Sequence, residues 1–145
     1  MTHCYRVLED VALADAAFEA SGDSPSELCL AAAQAVIETL ADPSTVGQSW
    51  RRTVECEAPD ISALLFNWLS EIVYVKDAEG VVFNGVIAQV VQRPDTVWYL
   101  RGTLTGEPID AARQELRSDI KAVTKHLYEV RQEGGKWFAR VVVDI

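Results

Sequence analysis

The order of apolar and polar residues along the chain predicts a short series of strands and two helices. Over residues 14–20, Ala14, Ala16, Phe18 and Ala20 alternate with Asp15, Ala17 and Glu19. Period two is the strand period, so Asp15 falls on the face opposite Phe18. Residues 5–9 read as a shorter strand before it, with a turn around Glu9-Asp10. Ser21-Gly22-Asp23 breaks the second strand, and a helix opens at Ser24-Pro25-Ser26-Glu27. Ser24 is its N-cap, Pro25 its first helical residue, and Glu27 closes a capping box. Leu28, Ala32, Ala35 and Thr39 make one stripe, with Cys29, Val36 and Leu40 beside it. The helix therefore runs to about residue 40, and its small side chains predict close packing. Asp42-Pro43 ends it.

Residues 50–57 alternate again and read as a strand. Asp60 caps a second helix, in which Ile61, Leu64, Leu65, Trp68 and Ile72 recur at helical spacing. Trp68 belongs to the core, and Asn67 to local backbone hydrogen bonding. Ala78-Glu79-Gly80 turns the chain into strands over 81–91 and 96–104, joined through Gln92-Arg93-Pro94-Asp95. The polar stretch 106–118, with Pro108, is a loop or short helix. Gly134-Gly135 marks a two-residue type I′ turn of a hairpin. Counting from that turn, Glu133 faces Lys136, Glu129 faces Arg140, Leu127 faces Val142, His126 faces Val143, and Lys125 faces Asp144. Lys121 lies further along the same face. A bulge would shift this register.

The hairpin ends on Trp137-Phe138-Ala139-Arg140-Val141-Val142-Val143-Asp144-Ile145, the most strand-like run in the sequence. It sets the Asp144 side chain beside the α-carboxylate of Ile145. Either this is a core strand that comes last, or the end of the chain is a functional group held by the sheet. The series of elements defines an α+β fold: a single two-layer domain over 1–145, mostly antiparallel sheet with two main helices.

Composition adds limits. The 145 residues are 49% hydrophobic and 24% charged, enough for one sizeable core. Mean hydropathy is +0.04, and no apolar run approaches the ~20 residues that span a bilayer. No secretory pattern opens the chain. Three cysteines, Cys4, Cys29 and Cys56, without C-x-x-C spacing suit reduced thiols in a cytoplasmic protein. The net charge of −9 opposes direct nucleic-acid binding and suits a basic protein partner or cations. Phosphate-loop, dinucleotide, nucleophile-elbow and zinc-helix motifs are all missing. His126 sits in a strand, and spacing gives no support to a dyad with Cys4 or Cys56. The residues alone favour a binding protein over an enzyme.

Several stretches resemble the archease family. Lys121-Ala122-Val123-Thr124-Lys125-His126, then Gly135-Lys136-Trp137 and Val142-Val143-Asp144-Ile145, are similar to that family's K-A-V-T-x-H … W … V-x-D-I ending. Leu65-Phe66-Asn67-Trp68-Leu69 with Asp77-Ala78-Glu79-Gly80 resembles its L-x-N-W-L … D-x-E-G segment. Ala14-Asp15 before Gly22 resembles its N-terminal A-D … G, and Gly106-Glu107-Pro108-Ile109-Asp110 its G-E loop. The matches run in order along nearly the whole chain. Two departures stand out: Ala12-Leu13 replace the family's His-Thr, and Gln114 stands where a histidine is usual.

The resemblance implies an α+β fold and a non-catalytic activator of the RtcB-type RNA ligase that joins tRNA halves and repairs RNA. That ligase uses GTP and manganese and forms a guanylylated histidine; the activator speeds guanylylation and supports repeated turnover. It also implies a divalent-cation site, calcium in the usual description, carried over here to Asp15, Asp144 and Ile145. Magnesium and manganese share the same hard-oxygen ligand chemistry. Lys121 is a further functional candidate, for a nucleotide phosphate or a ligase carboxylate. Against the metal stands a plainer expectation, that Asp144 pairs with Lys125 across the hairpin. Two other functions stay open: a chaperone-like protein-binding module unrelated to RNA, and a small metal-dependent hydrolase. A tip built on the chain end also predicts that a tag after Ile145 damages activity more than stability.

Overall fold

The computed structural model describes residues 3–8 and 15–145. The expected turn at Glu9-Asp10 and the Ala12-Leu13-Ala14 stretch lie outside them. The described residues form strands β1 (His3–Leu8), β2 (Asp15–Gly22), β3 (Trp50–Ala58), β4 (Val81–Gln92), β5 (Trp98–Pro108), β6 (Ala122–Glu133) and β7 (Lys136–Asp144). The helices are α1 (Pro25–Leu40) and α2 (Ile61–Glu79). This is the expected α+β class. The strands divide into two antiparallel sheets, ordered β1-β2-β7-β6 and β3-β5-β4.

Both helices touch both sheets. Helix α1 packs on β1, β2 and β7 of one and β4 of the other; α2 packs on β6 of the first and β3, β4 and β5 of the second. That placement explains why apolar residues crowd α1 on more than one face: Leu28, Cys29, Ala31, Ala32, Ala33, Val36 and Ile37 are all buried. Alanine lets flanking layers approach closely. Trp68 of α2 is fully buried, and its indole N–H donates to the Cys29 carbonyl at 3.1 Å, satisfying its one polar atom. The ring lies over Gly102 of β5, where an added Cβ would sit 2.4 Å from a ring carbon.

The caps follow the sequence. Ser24 Oγ accepts from the Glu27 N–H at 3.2 Å, and Glu27 Oε1 accepts from the Asp23 N–H, one residue before the cap. Asp60 Oδ1 accepts from the Ala63 N–H at 2.8 Å. Gly80 closes α2 in the left-handed region at φ 64°.

The other end of α1 is different. It carries no basic residue in its last turn, and its final carbonyls need donors from elsewhere. The segment 109–121 supplies them as it crosses from one sheet to the other. The Arg117 N–H donates to Leu40 O, the Ser118 N–H to Thr39 O, and Arg117 Nη1 to Glu38 O, at 2.9, 3.0 and 2.9 Å. This strap is the stretch expected as a loop or short helix, although its first residues, 106–108, instead complete β5. Strand pairing with β3 and β4 holds them there.

The hairpin needs a correction. Gly134 and Gly135 have φ of 57° and 79°, as a type I′ turn requires, and Glu133 faces Lys136 and Glu129 faces Arg140 as expected. Beyond Glu129 the register shifts. Between Glu129–Arg140 and Thr124–Val142, β6 holds Lys125, His126, Leu127 and Tyr128 where β7 holds only Val141. Leu127, at φ 54°, turns the backbone at this bulge, and Arg140 Nε bonds its carbonyl at 2.8 Å. Ala122, not Lys125, therefore faces Asp144; Val123 faces Val143 and Thr124 faces Val142. The bulge is pinned to α2: Tyr128 donates to Ser62 O at 2.7 Å, and the Lys125 ammonium lies 3.7 Å from the Phe66 ring centre.

Candidate functional site

Strand β7 runs in the middle of its sheet, between β2 and β6, and this brings distant residues together at one end. Asp15 begins β2 and lies directly opposite Asp144 at the end of β7; Ala122 flanks Asp144 on the other side. Side chains directly opposite in an antiparallel ladder approach within about 5 Å at Cβ. The alternation decides which way they point. Phe18, Ala20, Ala139, Val141 and Val143 belong to the core beneath the helices. Asp15, Ala17, Val142 and Asp144 therefore share the opposite face, as the sequence pattern predicted for Asp15.

Both carboxylates are half-buried, next to Ala17 and Val142 at 2% and 0% exposure. Among the described residues no ion pair or side-chain hydrogen bond reaches either one. Ile145 follows at once, its side chain packed against the core, which holds its main-chain oxygens beside Asp144. Two facing carboxylates in a partly dry setting repel, and a divalent cation removes that repulsion. The donors are all hard oxygens, so the set fits calcium, magnesium or manganese. No group of three or more His, Cys, Asp or Glu side chains gathers among the described residues; the fit depends on Ile145 as third contributor.

Lys121 meets the tip through its backbone. Its N–H donates to the Asp144 carbonyl at 2.7 Å. With Ala122 facing Asp144, the alternation turns Lys121 toward α2, where it lines a hollow of about 260 Å3 with Ser70, Val73, Tyr74 and Asp77. The expectation that Lys121, Lys125 and Asp144 share one face fails, because the bulge adds an odd number of residues. Lys125 cannot neutralise Asp144, since its charge lies on Phe66.

Two residues noted in the sequence turn out to be structural. Glu107 is buried and receives Arg113 through both terminal nitrogens, at 2.9 and 3.1 Å, and Gln114 Nε2 at 2.9 Å. Hydrogen bonds from Arg113, Gln114 and the Gly47 N–H pull its pKa down to about 2. Gln114 also donates to Pro108 O and accepts from the Asp110 N–H. It therefore anchors the strap at the place where a histidine is usual.

Lys76 is what the sequence reading missed. It is 3% exposed, and its ammonium reaches Asp119 Oδ1 at 2.5 Å, Asp77 Oδ1 at 2.7 Å and Ile120 O at 2.8 Å. Burial alone would lower its pKa, but the hydrogen bonds to Asp119 and Asp77 outweigh that and raise it. The available signal was its position on the turn of α2 that carries Ile72 and Leu69. His126 is exposed on the bulge. Burial raises the Cys29 and Cys56 thiols to about 12 and about 11, so neither supplies a ready thiolate at neutral pH.

The fold and this tip define a small α+β protein with two antiparallel sheets and an acidic end that no cationic side chain reaches among the described residues. A family model described as the Archease protein family (MTH1598/TM1083) matches residues 5–145, and the chain belongs to that family. It is 34% identical over 132 residues to "Protein archease" of Methanopyrus kandleri, covering 91% of this chain and 94% of that protein. It is 36% identical to the protein of the same name from Methanothermobacter thermautotrophicus, covering 91% and 93%. The solution structure of Methanobacterium thermoautotrophicum protein 1598 superposes with a TM-score of 0.84 at 33% identity, covering 97% and 98% of the two chains. A Thermotoga maritima crystal structure described as "an archease, possible chaperone" shares the fold at a TM-score of 0.62 and 19% identity, covering 91% of each chain. Among the described residues no helix is long and apolar enough to cross a membrane.

Proposed function

We propose that this protein is a non-catalytic, cytoplasmic activator of an RtcB-type, GTP-dependent RNA ligase, acting through a cation-bearing acidic tip. Family membership supports the reading. The observation that carries it is the register pairing Asp15 with Asp144, two half-buried carboxylates that no described cation neutralises. When bound, a divalent cation, calcium first among the candidates, would neutralise the tip and leave ligand positions for oxygens of the partner. The protein's part is geometric. Strands β2 and β7 hold the donors side by side, β6 braces Asp144 from the other side, and Lys121 stands near as a second contact. The charge of −9 favours approach to a basic protein surface and disfavours direct contact with RNA.

The test is guanylylation of the same organism's ligase, with and without this protein. Stimulation and multiple turnover are expected from the wild type, and Asp144→Ala is expected to lose most of both while remaining folded. No stimulation by the wild type rejects the reading. The description of the Thermotoga structure as a "possible chaperone" favours a second reading, a protein-binding module unrelated to RNA. Suppression of client aggregation by both wild type and Asp144→Ala, without any effect on the ligase, would establish it instead.

A further inference from the structure

We propose that Lys76 is a positioning residue for the acidic tip: by clamping Asp119 and Ile120 it sets the start of β6, and through it the place of Asp144 beside Asp15. The need for a clamp comes from the bulge. Only three pairs, Ala122–Asp144, Val123–Val143 and Thr124–Val142, join β6 to β7 on the tip side of it. So short a ladder is weakly specified, and a slip of one residue would turn every side chain to the other face. The hairpin turn cannot enforce this register, because the bulge interrupts the ladder between them. Tyr128 and Lys125 hold the bulge side against α2; on the other side, upstream of Ala122, the strap has to be held as well.

Lys76 is placed to do so. Among the described residues it is the one cationic side chain in the buried class. An ammonium has three protons, and here all three have acceptors: Asp77, Asp119 and the Ile120 carbonyl. Two of the three lie on the strap, one and two residues before Lys121. Ile120 is itself fully buried, so the chain is held there by its side chain and its carbonyl together. The next N–H, that of Lys121, is the donor to Asp144 O. The path from a rigid helix to the tip is thus Lys76, Ile120, Lys121, Asp144, each step a hydrogen bond or a peptide link. A buried cation is costly unless fully paired. A methionine would fill the same space without that cost, but it could not grip a carbonyl.

This inference rests on the metal-tip reading, and two measurements separate them. The first is hydrogen exchange at the Lys121 amide in the metal-free full-length chain, wild type against Lys76→Met. Exchange is expected to rise about tenfold or more at Lys121 while core amides such as Val141 keep their rates. A role in general stability alone would speed both together. The second is calcium affinity by titration calorimetry, well below the melting temperature, where the variant is expected to bind severalfold more weakly. Unchanged exchange at Lys121 overturns the proposal. Faster exchange with unchanged calcium affinity overturns its link to the tip. A wild type that binds no calcium rejects the metal reading alone, and the exchange comparison still decides whether Lys76 holds the strap. If Lys76→Met does not fold, Asp119→Ala, altering a side chain that is 72% exposed, removes one arm of the clamp and must show the same pattern to a smaller degree.

Discussion

Glu107 and Asp144 are both strand-end carboxylates, and they live in opposite conditions. Glu107 is buried and oversupplied, with Arg113, Gln114 and the Gly47 N–H converging on it. Asp144 is half-buried and faces another carboxylate, Asp15. The first arrangement is complete within the chain. The second has no cationic partner among the described residues. Buried polar groups in folded proteins are nearly always satisfied, so satisfaction is a guide to role: a saturated carboxylate holds structure, and one opposed by its own kind is where the proposed function places a ligand. Lys76 belongs with Glu107 by this measure, since every proton is used, but what it grips leads to the tip.

The sharpest way to break the contrast is to remove Glu107. Glu107→Ala removes the acceptor that Arg113 and Gln114 share, leaving them Asp110 and Pro108 O, and loosens the strap at Gln114. The melting temperature is expected to fall by on the order of 5–10 °C in calorimetry, with calcium affinity unchanged per folded molecule. Equal loss of calcium binding would erase the distinction between the two sites. A smaller effect comes from Asp144→Asn, which removes one of two facing charges. Without metal, its melting temperature is expected to stay within about 2 °C of wild type or rise. Calcium at a hundredfold excess over Kd stabilises a specific binder by ~2.7 kcal/mol; that gain should vanish in the variant. A metal-free variant that melts much lower would make Asp144 structural after all.

The elements were legible because their local signals agree. Ser24-Pro25 and Asp60 start helices where the sequence places them, and Gly134-Gly135 makes its turn. Alternation put Asp15 on the right face. The pairing of Asp15 with Asp144 came only from family resemblance, since no local signal ties residues so far apart, and the strands' partition into two sheets was silent for the same reason. The bulge at Lys125–Tyr128 was missed because the chain there looks like uninterrupted strand. What makes it is tertiary: Phe66 and Ser62 of α2 draw Lys125 and Tyr128 out of line. Lys76 was missed although helical spacing sets it on the stripe of Leu69 and Ile72, because a lysine near a helix end ordinarily reaches water, and only the strap folding over it shows otherwise.

Acid provides the finest test of the contrast. Folding lowers the Glu107 pKa from an ordinary 4.5 to about 2, chiefly through Arg113 and then Gln114. A depressed carboxylate pKa means that the unfolded chain takes up the proton first. The stabilisation is therefore full above pH ~4.5 and drains away as pH falls toward 2. Glu107→Gln keeps the shape but cannot titrate. Its stability, measured by urea unfolding at a series of pH values, should be lower than wild type at pH 7, and the gap should close between pH 4.5 and 2. If the gap stays open across that window, the folded chain does not hold the Glu107 carboxylate down. If the gap closes, the saturated site is the one that acid undoes, and Arg113 and Gln114 are what it loses.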